Sequence, residues 1–219
     1  MAPALLVVLA SYLLGAVPFG LVMARVLKGV DLREVGSGNI GATNAMRVLG
    51  KPLGIVAFLF DFAKGLVPTF LFAAYAPALD DLAPGLAASL CGVAAVLGHC
   101  FPVYLGFRGG KGVATGCGAI SGVEPLVFVV AGIVWLVTLL TSRFVSLASI
   151  AMGVTFPLAA LALEPGQPTF VAACALLTLL VLARHRANLV RLRAGTEPRI
   201  GKKPVPTGLD GAQESIEST

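Results

Sequence analysis

Long apolar runs separated by short polar segments set the pattern of this chain. The first run covers residues 2–26, and a bilayer core of about 30 Å requires roughly 20 helical residues. A signal peptide has a basic start, a short apolar core and a small-residue cleavage site. This chain begins Met-Ala-Pro, and its long first run ends at Arg25 and Lys28. The run therefore predicts an uncleaved transmembrane helix.

The whole set of runs predicts an all-α integral membrane protein with seven transmembrane helices, one of them short. Their approximate ranges are 4–27, 53–76, 84–106, 111–122, 125–142, 145–163 and 168–184. The fourth is only about 18 Å long, at about 1.5 Å per residue. It can span the membrane only if one of its ends begins below the membrane surface.

Charge sidedness supports a crossing by this short helix. Basic residues accumulate in cytoplasmic loops, and with seven crossings all of the 16 basic residues except Lys64 fall on one side. If 111–122 were re-entrant, Arg143 and the basic C-terminal region would move to the other side. The loops of the opposite side carry only acids, namely Asp80, Asp81, Glu124 and Glu164. We therefore expect the N-terminus outside and the C-terminus in the cytoplasm.

The composition agrees with a lipid environment. Hydrophobic residues make up 57% of the chain and charged residues 12%, about half of the share in a soluble domain. The four cysteines lie in apolar segments without a CxxC pair, so we expect small buried side chains, no disulfide and no metal site. The net charge of +5 follows from sidedness and does not indicate nucleic-acid binding. We predict a membrane domain over 1–197 and a polar, disordered cytoplasmic tail over 198–219.

One ionisable pair, Asp61 and Lys64, interrupts the second predicted helix. Their spacing of three residues places both side chains on one helical face. Charges at membrane depth are costly and tend to face the protein interior. The pair is either an internal salt bridge between helices, the commoner case, or a contact to substrate.

Three polar segments on the predicted cytoplasmic side define the candidate site. They are GSGNIGATNAMRVLG at 36–50, HCFPVYLGFRGGKGVAT at 99–115 and HRANLVRLRAGTEP at 185–198. In the second, three glycines surround Lys111, and glycine lets the backbone approach a ligand closely. The start of the following helix offers N–H groups and partial positive charge to an anion. Because Lys111 is followed by glycine, this is not a nucleotide P-loop; it predicts either another phosphate site or a flexible turn.

The first segment supplies neutral hydrogen-bond donors and one arginine. Arg47 can bind phosphate in a bidentate manner. The alternative is a capped loop in which Thr43 or Asn44 begins a helix that carries Arg47 at the surface.

The third segment follows the last predicted span. Here His185 and Asn188 lie three residues apart on one helical face. A basic helix at the lipid headgroups explains Arg191 and Arg193 well. It explains His185 and Asn188 poorly.

Two phosphate-compatible loops and a histidine beside a bilayer indicate chemistry that joins a phosphorylated polar substrate to a lipid. The chain lacks a GxSxG sequence, and the HxxxxD pattern fails because Tyr104 follows His99 and Val190 follows His185 at that spacing. A transporter for a phosphorylated metabolite is a second hypothesis, although the polar segments all lie on one side and no inverted repeat is visible. A lipid-binding scaffold is a third, and it leaves the glycine, asparagine and histidine positions without a role.

Together the three segments resemble the signature motifs of the bacterial acyl-phosphate:glycerol-3-phosphate acyltransferases, the PlsY family. DFAKG at 61–65 and RFVSLAS at 143–149 also resemble family features, and the similarity covers about residues 5–200. It implies a multi-pass enzyme of the bacterial inner membrane with its active site toward the cytoplasm. The implied reaction moves a fatty acyl group from acyl phosphate to the sn-1 hydroxyl of glycerol 3-phosphate. The products are lysophosphatidic acid and phosphate, in phospholipid biosynthesis.

The resemblance also implies roles for individual residues. Arg47 and Lys111 would bind the phosphate of glycerol 3-phosphate, and Ser37, Asn188 and His185 would serve the glycerol hydroxyls. The residues that would cradle the acyl-phosphate headgroup are Gly38, Asn39, Gly41, Thr43, Asn44, Gly109, Gly110, Gly112 and Ser146 or Ser149. The acyl chain would lie between helices, open to membrane lipid. A further expected partner is a transient contact with the soluble enzyme that supplies acyl phosphate.

Acyl phosphate is a mixed anhydride, so phosphate leaves readily and neither a metal nor a cofactor is required. Positioning and charge stabilisation could supply most of the acceleration. Direct attack is favoured over a covalent acyl-enzyme. The proton acceptor stays open between His185, with an ordinary pKa near 6.5, and a substrate phosphate oxygen.

Overall fold

The computed structural model describes residues 2–201, and the regular structure within that range is helical. The α-helices are α1 Ala2–Ala16, α2 Phe19–Lys28, α3 Ala42–Leu49, α4 Lys51–Val67, α5 Pro77–Asp80, α6 Leu86–Cys100, α7 Val113–Val123, α8 Pro125–Ser142, α9 Val145–Leu163, α10 Pro168–Arg184 and α11 Arg186–Arg193. A π-helical turn, Pro68–Phe72, and a 3₁₀ turn, Ala73–Tyr75, continue α4. The predicted tail lies outside the described residues apart from its first four positions.

Membrane-spanning capacity is clear for most of the long helices. Five segments are long and apolar enough to cross a membrane, and they are Ala2–Lys28, Lys51–Tyr75, Leu86–Leu105, Pro125–Ser142 and Val145–Leu163. The pair α10 and α11, bent by 58°, gives a sixth if it is counted as one span. The described residues therefore form the all-helical body of a multi-pass membrane protein. The eleven-residue α7 corresponds to the short predicted helix, and its crossing stays a prediction.

Two prolines set helix ends that the hydrophobic pattern did not reveal. The predicted helix 4–27 is divided between α1 and α2 at Pro18, which lacks an N–H and restricts the residue before it. The predicted helix 84–106 ends at Cys100, two residues before Pro102. The second end matters for function because the glycine-rich loop begins there.

Glycine contacts bring α7 close to its neighbour α4. A Cβ added at Gly118 would collide with the Phe62 carbonyl, and one added at Gly65 would collide with the Thr115 carbonyl. Without a hydrophobic effect between helices in lipid, such close backbone approach is a main source of attraction. The contact fixes the height of α7, and hence of its N-terminus, against the longer helix.

The main hydrophobic core lies among α6 to α10, and the outer helices present apolar side chains to lipid. On α8, Ile133 is 57% exposed and Leu140 69% exposed. A continuous exposed apolar face of this kind fits contact with acyl chains.

Candidate active site

The loop between α6 and α7 packs directly on the end of α6. The Gly109 N–H donates to the Cys100 carbonyl at 3.2 Å, and the Gly110 N–H donates to the His99 carbonyl at 3.0 Å. A Cβ at Gly109 would collide with the His99 carbonyl, and one at Gly110 would collide with the His99 ring. The two glycines therefore permit an approach that any side chain would prevent.

This packing disfavours the predicted role of Gly109 and Gly110 in cradling the acyl-phosphate headgroup. Their N–H groups are bonded to α6 and are not free to cradle a phosphate. Gly112, with a φ of +80°, precedes the first residue of α7, and the first N–H groups of a helix lack intrahelical partners. The amides available to an anion are therefore those at the start of α7.

Lys111, Asn188 and Glu197 form a hydrogen-bonded chain between the second and third polar segments. The Lys111 Nζ donates to the Asn188 Oδ1 at 2.6 Å, and the Asn188 Nδ2 donates to the Glu197 Oε1 at 2.7 Å. The Arg191 Nε donates to the Glu197 Oε2 at 2.7 Å. The structure thus brings together Lys111 and Asn188, two candidate residues from different polar segments, and adds Glu197 as a partner of Asn188.

Lys111 is surrounded by more positive than negative charge. Burial lowers the pKa of Lys111 to about 8; Glu197 opposes this shift, and Arg191, Arg47 and Arg184 reinforce it. We call Arg47, Lys111, Arg184 and Arg191 the cationic cluster. Since Glu197 offsets only part of their mutual repulsion, an anion bound among them would be stabilised.

His185 occupies the bend between α10 and α11 and is only 2% exposed. Its Nδ1 lies 2.8 Å from the Val181 carbonyl. A carbonyl oxygen only accepts hydrogen bonds, so Nδ1 carries the proton and Nε2 keeps its lone pair. Burial, followed by the charge of Lys111, lowers the pKa of His185 to about 4. The ring is therefore neutral at pH 7, a good hydrogen-bond acceptor and a weak base.

Asn44 holds the first polar segment together. Its Oδ1 accepts from the Ser37 N–H at 2.8 Å, and its Nδ2 donates to the carbonyls of Leu32 and Val35, each at 3.0 Å. Its side chain is buried, with 1% exposure of the residue. These contacts favour a positioning role for Asn44 over the predicted contact with acyl phosphate.

The other polar side chains of the first segment are at least partly open to solvent. The Asn39 Oδ1 accepts from the Gly41 N–H at 2.9 Å, immediately before α3 begins. The exposed members of this segment include Ser37, Gly38, Thr43 and Arg47. Leu105 of the second segment packs against the apolar cluster that contains Ile40 and Ala45, so the first segment lies beside the second.

Ser146 and Ser149 lie in the first two turns of α9 and are buried. The Ser146 hydroxyl has no hydrogen-bond partner among the described residues. It sits beside Glu197, for which burial raises the pKa but neighbouring donors lower it further, so that its pKa lies below the usual value. Ser146 thus borders the cluster beside Glu197, whereas Ser149 lies about one turn further into the helix.

A second polar cluster lies within the membrane-spanning helices, and we call Asp61, Lys64 and His99 the buried triad. The Lys64 Nζ lies 2.8 Å from the Asp61 Oδ1 and donates to the Val17 carbonyl at 2.8 Å, beside the break between α1 and α2. The His99 Nδ1 lies 3.7 Å from the same Asp61 oxygen. None of the three exceeds 4% exposure. The salt bridge considered for Asp61 and Lys64 is therefore present within α4 and away from solvent, and the contacts with Val17 and His99 connect it to neighbouring segments.

The sequence pattern alone does not single out Arg184 and Glu197 as members of the site. Arg184 looks like one more basic residue of the C-terminal region, and Glu197 looks like the end of the membrane domain. A signal for Glu197 exists, because it is the single acid in the third polar segment. Its contacts with Asn188 and Arg191 explain why an acid is needed there.

Comparison with known proteins identifies the family. The family model described as glycerol-3-phosphate acyltransferase matches residues 5–195. A glycerol-3-phosphate acyltransferase of Jannaschia sp. (strain CCS1) is 46% identical over 197 residues, which are 90% of this chain and 93% of the relative. One of Aquifex aeolicus (strain VF5) is 45% identical over 197 residues, covering 90% of this chain and 98% of the relative.

Solved structures agree with this result. The glycerol 3-phosphate form of PlsY (YgiH), an integral membrane glycerol 3-phosphate acyltransferase, matches at 42% identity with a TM-score of 0.83, covering 90% of this chain and 96% of that one. The lysophosphatidic acid form matches at 41% identity with a TM-score of 0.81, covering 90% and 95%. This chain therefore belongs to the glycerol-3-phosphate acyltransferase family.

Proposed function

We propose that this protein transfers a fatty acyl group from acyl phosphate to the sn-1 hydroxyl of glycerol 3-phosphate. The observation that carries the proposal is the cationic cluster, in which Lys111 is bonded to Asn188, Glu197 bonds to both Asn188 and Arg191 as a partial counter-charge, and His185 precedes the same helix. Such a cluster suits two phosphorylated substrates, one polar and one attached to a lipid chain. The family membership and the two ligand forms of PlsY support the acceptor and the product.

The acceptor, glycerol 3-phosphate, takes the side of the cluster formed by Arg47 and Lys111. A guanidinium and an ammonium group together supply strong, charge-assisted hydrogen bonds to phosphate. The contact between Lys111 and Asn188 supports a role for Asn188 at the glycerol moiety, which it would share with Ser37 and His185. A phosphate at Lys111 would compete with Asn188 for its ammonium protons.

The donor headgroup takes the amides at the start of α7 and the hydroxyl of Ser146 or Ser149. From the first segment, the backbone at Gly38 and Gly41 and the side chains of Asn39 and Thr43 complete this site. Asn44, Gly109 and Gly110 shape the two loops without touching the substrate. The acyl chain leaves the site between helices toward lipid.

In the chemical step the sn-1 oxygen attacks the acyl carbonyl and a new C–O ester bond forms. The bond between the acyl carbon and the phosphate oxygen breaks, and inorganic phosphate leaves with the bonding electrons. We assign the hydroxyl proton to a phosphate oxygen, because a histidine with a pKa of about 4 is a weak base. His185 instead accepts a hydrogen bond through Nε2 and orients the hydroxyl. No acyl-enzyme and no cofactor take part.

The proposed topology has seven crossings, with the N-terminus outside and the active site at the cytoplasmic face of the bacterial inner membrane. It counts α10 and the short α7 with the five long spans. It is supported by the collection of basic residues on one side. An active site on that side is accessible to the soluble enzyme that supplies acyl phosphate.

A donor assay tests the proposed reaction. Purified protein in detergent is mixed with glycerol 3-phosphate and either palmitoyl phosphate or palmitoyl-CoA, without added metal, and lysophosphatidic acid is measured by mass spectrometry. We expect product from palmitoyl phosphate and none above background from palmitoyl-CoA. Product from palmitoyl-CoA alone would overturn the donor assignment. Uptake of labelled glycerol 3-phosphate into liposomes without product would favour a transporter.

A further inference from the structure

Arg184 makes an unusual contact with the glycine-rich loop. Its Nε donates to the Gly110 carbonyl at 2.9 Å, and one of its terminal amino groups donates to the Gly109 carbonyl at 2.7 Å. The guanidinium also lies over the ring of Phe101, 5.4 Å from its centroid. One planar group thus holds two successive carbonyls and packs on an aromatic ring that follows α6.

The two glycines are consequently fixed from both sides. Their N–H groups are bonded to the end of α6, and their carbonyls are bonded to Arg184 at the end of α10. All four backbone polar groups of this dipeptide have partners within the protein. A glycine pair is otherwise the most flexible element a loop can contain, so these bonds replace the missing steric constraint.

The position of this clamp in the chain connects it to the site. Lys111 directly follows Gly110, and His185 directly follows Arg184. The clamp therefore sets the distance between the loop that carries Lys111 and the helix end that carries His185 and Asn188. The 2.6 Å hydrogen bond from Lys111 to Asn188 spans the same gap.

We infer that Arg184 is a positioning residue that clamps the Gly109–Gly110 carbonyls and thereby holds Lys111 in place for the acceptor phosphate. This inference rests on the proposed role of Lys111. Arginine suits the task because its rigid fork serves two acceptors at once, whereas a lysine ammonium acts as a single point charge. The competing role, direct binding of phosphate by Arg184, depends on charge rather than on two donors.

Two substitutions distinguish the clamp from direct phosphate binding, because each of them keeps one hydrogen-bond donor at position 184. Arg184→Lys retains the positive charge, and Arg184→Gln retains a neutral N–H donor. For a clamp, both variants lose one of two carbonyl contacts, and their KM values for glycerol 3-phosphate should agree within about threefold. If Arg184 bound phosphate directly, Arg184→Lys would stay near the wild type and Arg184→Gln would match Arg184→Ala, and that result would overturn the inference.

A double-mutant cycle with Lys111 provides the decisive test. We expect Arg184→Ala to raise the KM for glycerol 3-phosphate about tenfold, equivalent to one charge-assisted hydrogen bond, and kcat to change less. Added to Lys111→Ala, the same substitution should change KM by less than about twofold, because the residue it positions is already absent. Arg186→Ala, an exposed arginine two positions away, is the matched control.

The outcomes are distinguishable from failure of the proposed function. One outcome is that Lys111→Ala raises KM and that Arg184→Ala raises KM by the same factor in the wild type and in Lys111→Ala. In that case the inference is wrong and the acceptor site stands. An unchanged KM in Arg184→Ala would also overturn the inference and leave the acceptor site intact. If Lys111→Ala itself leaves KM unchanged, both the inference and the acceptor assignment are overturned. Melting temperatures in detergent, together with the milder Arg184→Lys variant, separate loss of folding from loss of positioning.

Discussion

The buried triad and the cationic cluster are both polar groups of residues in a chain that is otherwise apolar. In the buried triad, Lys64 faces Asp61 at 2.8 Å and is sealed among helices. In the cationic cluster, Lys111 is only half-buried, and among the described residues Glu197 is the acid whose charge acts on it most strongly. Lys64 is paired with a carboxylate and enclosed by helices, whereas Lys111 is partly exposed and lies among more positive than negative charges.

This difference teaches how to separate structural from functional charges in a membrane protein. A charge within the spanning helices is retained only with a partner that satisfies it, so a matched pair indicates helix assembly. Unbalanced positive charge at the membrane edge is costly in the empty protein and becomes favourable when an anion binds. Substitutions at Lys64 and Lys111 test that distinction.

The largest effect is expected for the buried triad. Lys64→Met leaves the Asp61 carboxylate without a counter-charge, which costs about 3–5 kcal/mol. We expect the melting temperature in detergent to fall by about 10 °C, while the folded fraction keeps a normal KM for glycerol 3-phosphate. The paired replacement Asp61→Leu with Lys64→Met should recover most of the loss. A raised KM at unchanged melting temperature would assign the triad to the active site.

The next largest effect is expected at Lys111, where KM should change and the melting temperature should not. Lys111→Ala removes a charged hydrogen bond to phosphate, so KM for glycerol 3-phosphate should rise about 10- to 100-fold. The melting temperature should stay close to the wild type because the repulsion within the cationic cluster is relieved. Lys28→Ala, at the exposed end of α2, serves as the control and should change neither quantity. Equal KM values for both variants would remove Lys111 from the acceptor site.

The pKa of Lys111 gives a smaller effect with a definite sign. With a pKa of about 8, the amine is charged below that pH and neutral above it. Because a phosphate monoester is already a dianion above about pH 6, only the enzyme changes charge, and KM should rise about tenfold between pH 7 and pH 9. In Lys111→Arg the guanidinium stays protonated, so the rise should disappear. A rise that persists in Lys111→Arg would locate the titration elsewhere.

The smallest effect is expected at His185. If a phosphate oxygen takes the proton, His185→Gln removes only a neutral hydrogen bond, and kcat should fall about 2- to 10-fold. A general base normally contributes about 10²- to 10⁴-fold. The pH profile of kcat between 6 and 8 should show no break that depends on His185. A loss above 100-fold together with loss of such a break would make His185 the base.

The sequence was informative where polarity itself was the signal. In an apolar chain, each polar segment stands out, so most of the spans and the three polar segments with their candidate residues could be predicted. The hydrogen-bond partners of individual backbone groups could not be predicted. The N–H groups of Gly109 and Gly110, for example, bond to whichever helix end the loop packs on. Asn44 and Arg184 likewise have partners set by folding, up to 75 residues away for Arg184. The break at Pro18 could have been predicted from proline chemistry alone.

The central claim is that the acceptor phosphate binds at the cationic cluster, and a crystal structure of this protein with glycerol 3-phosphate tests it most directly. We predict a phosphate oxygen within about 3.2 Å of the Lys111 Nζ, a second contact from Arg47, and the glycerol hydroxyls toward Asn188 and His185. A phosphate bound elsewhere, with Lys111 still bonded only to Asn188, would contradict the account.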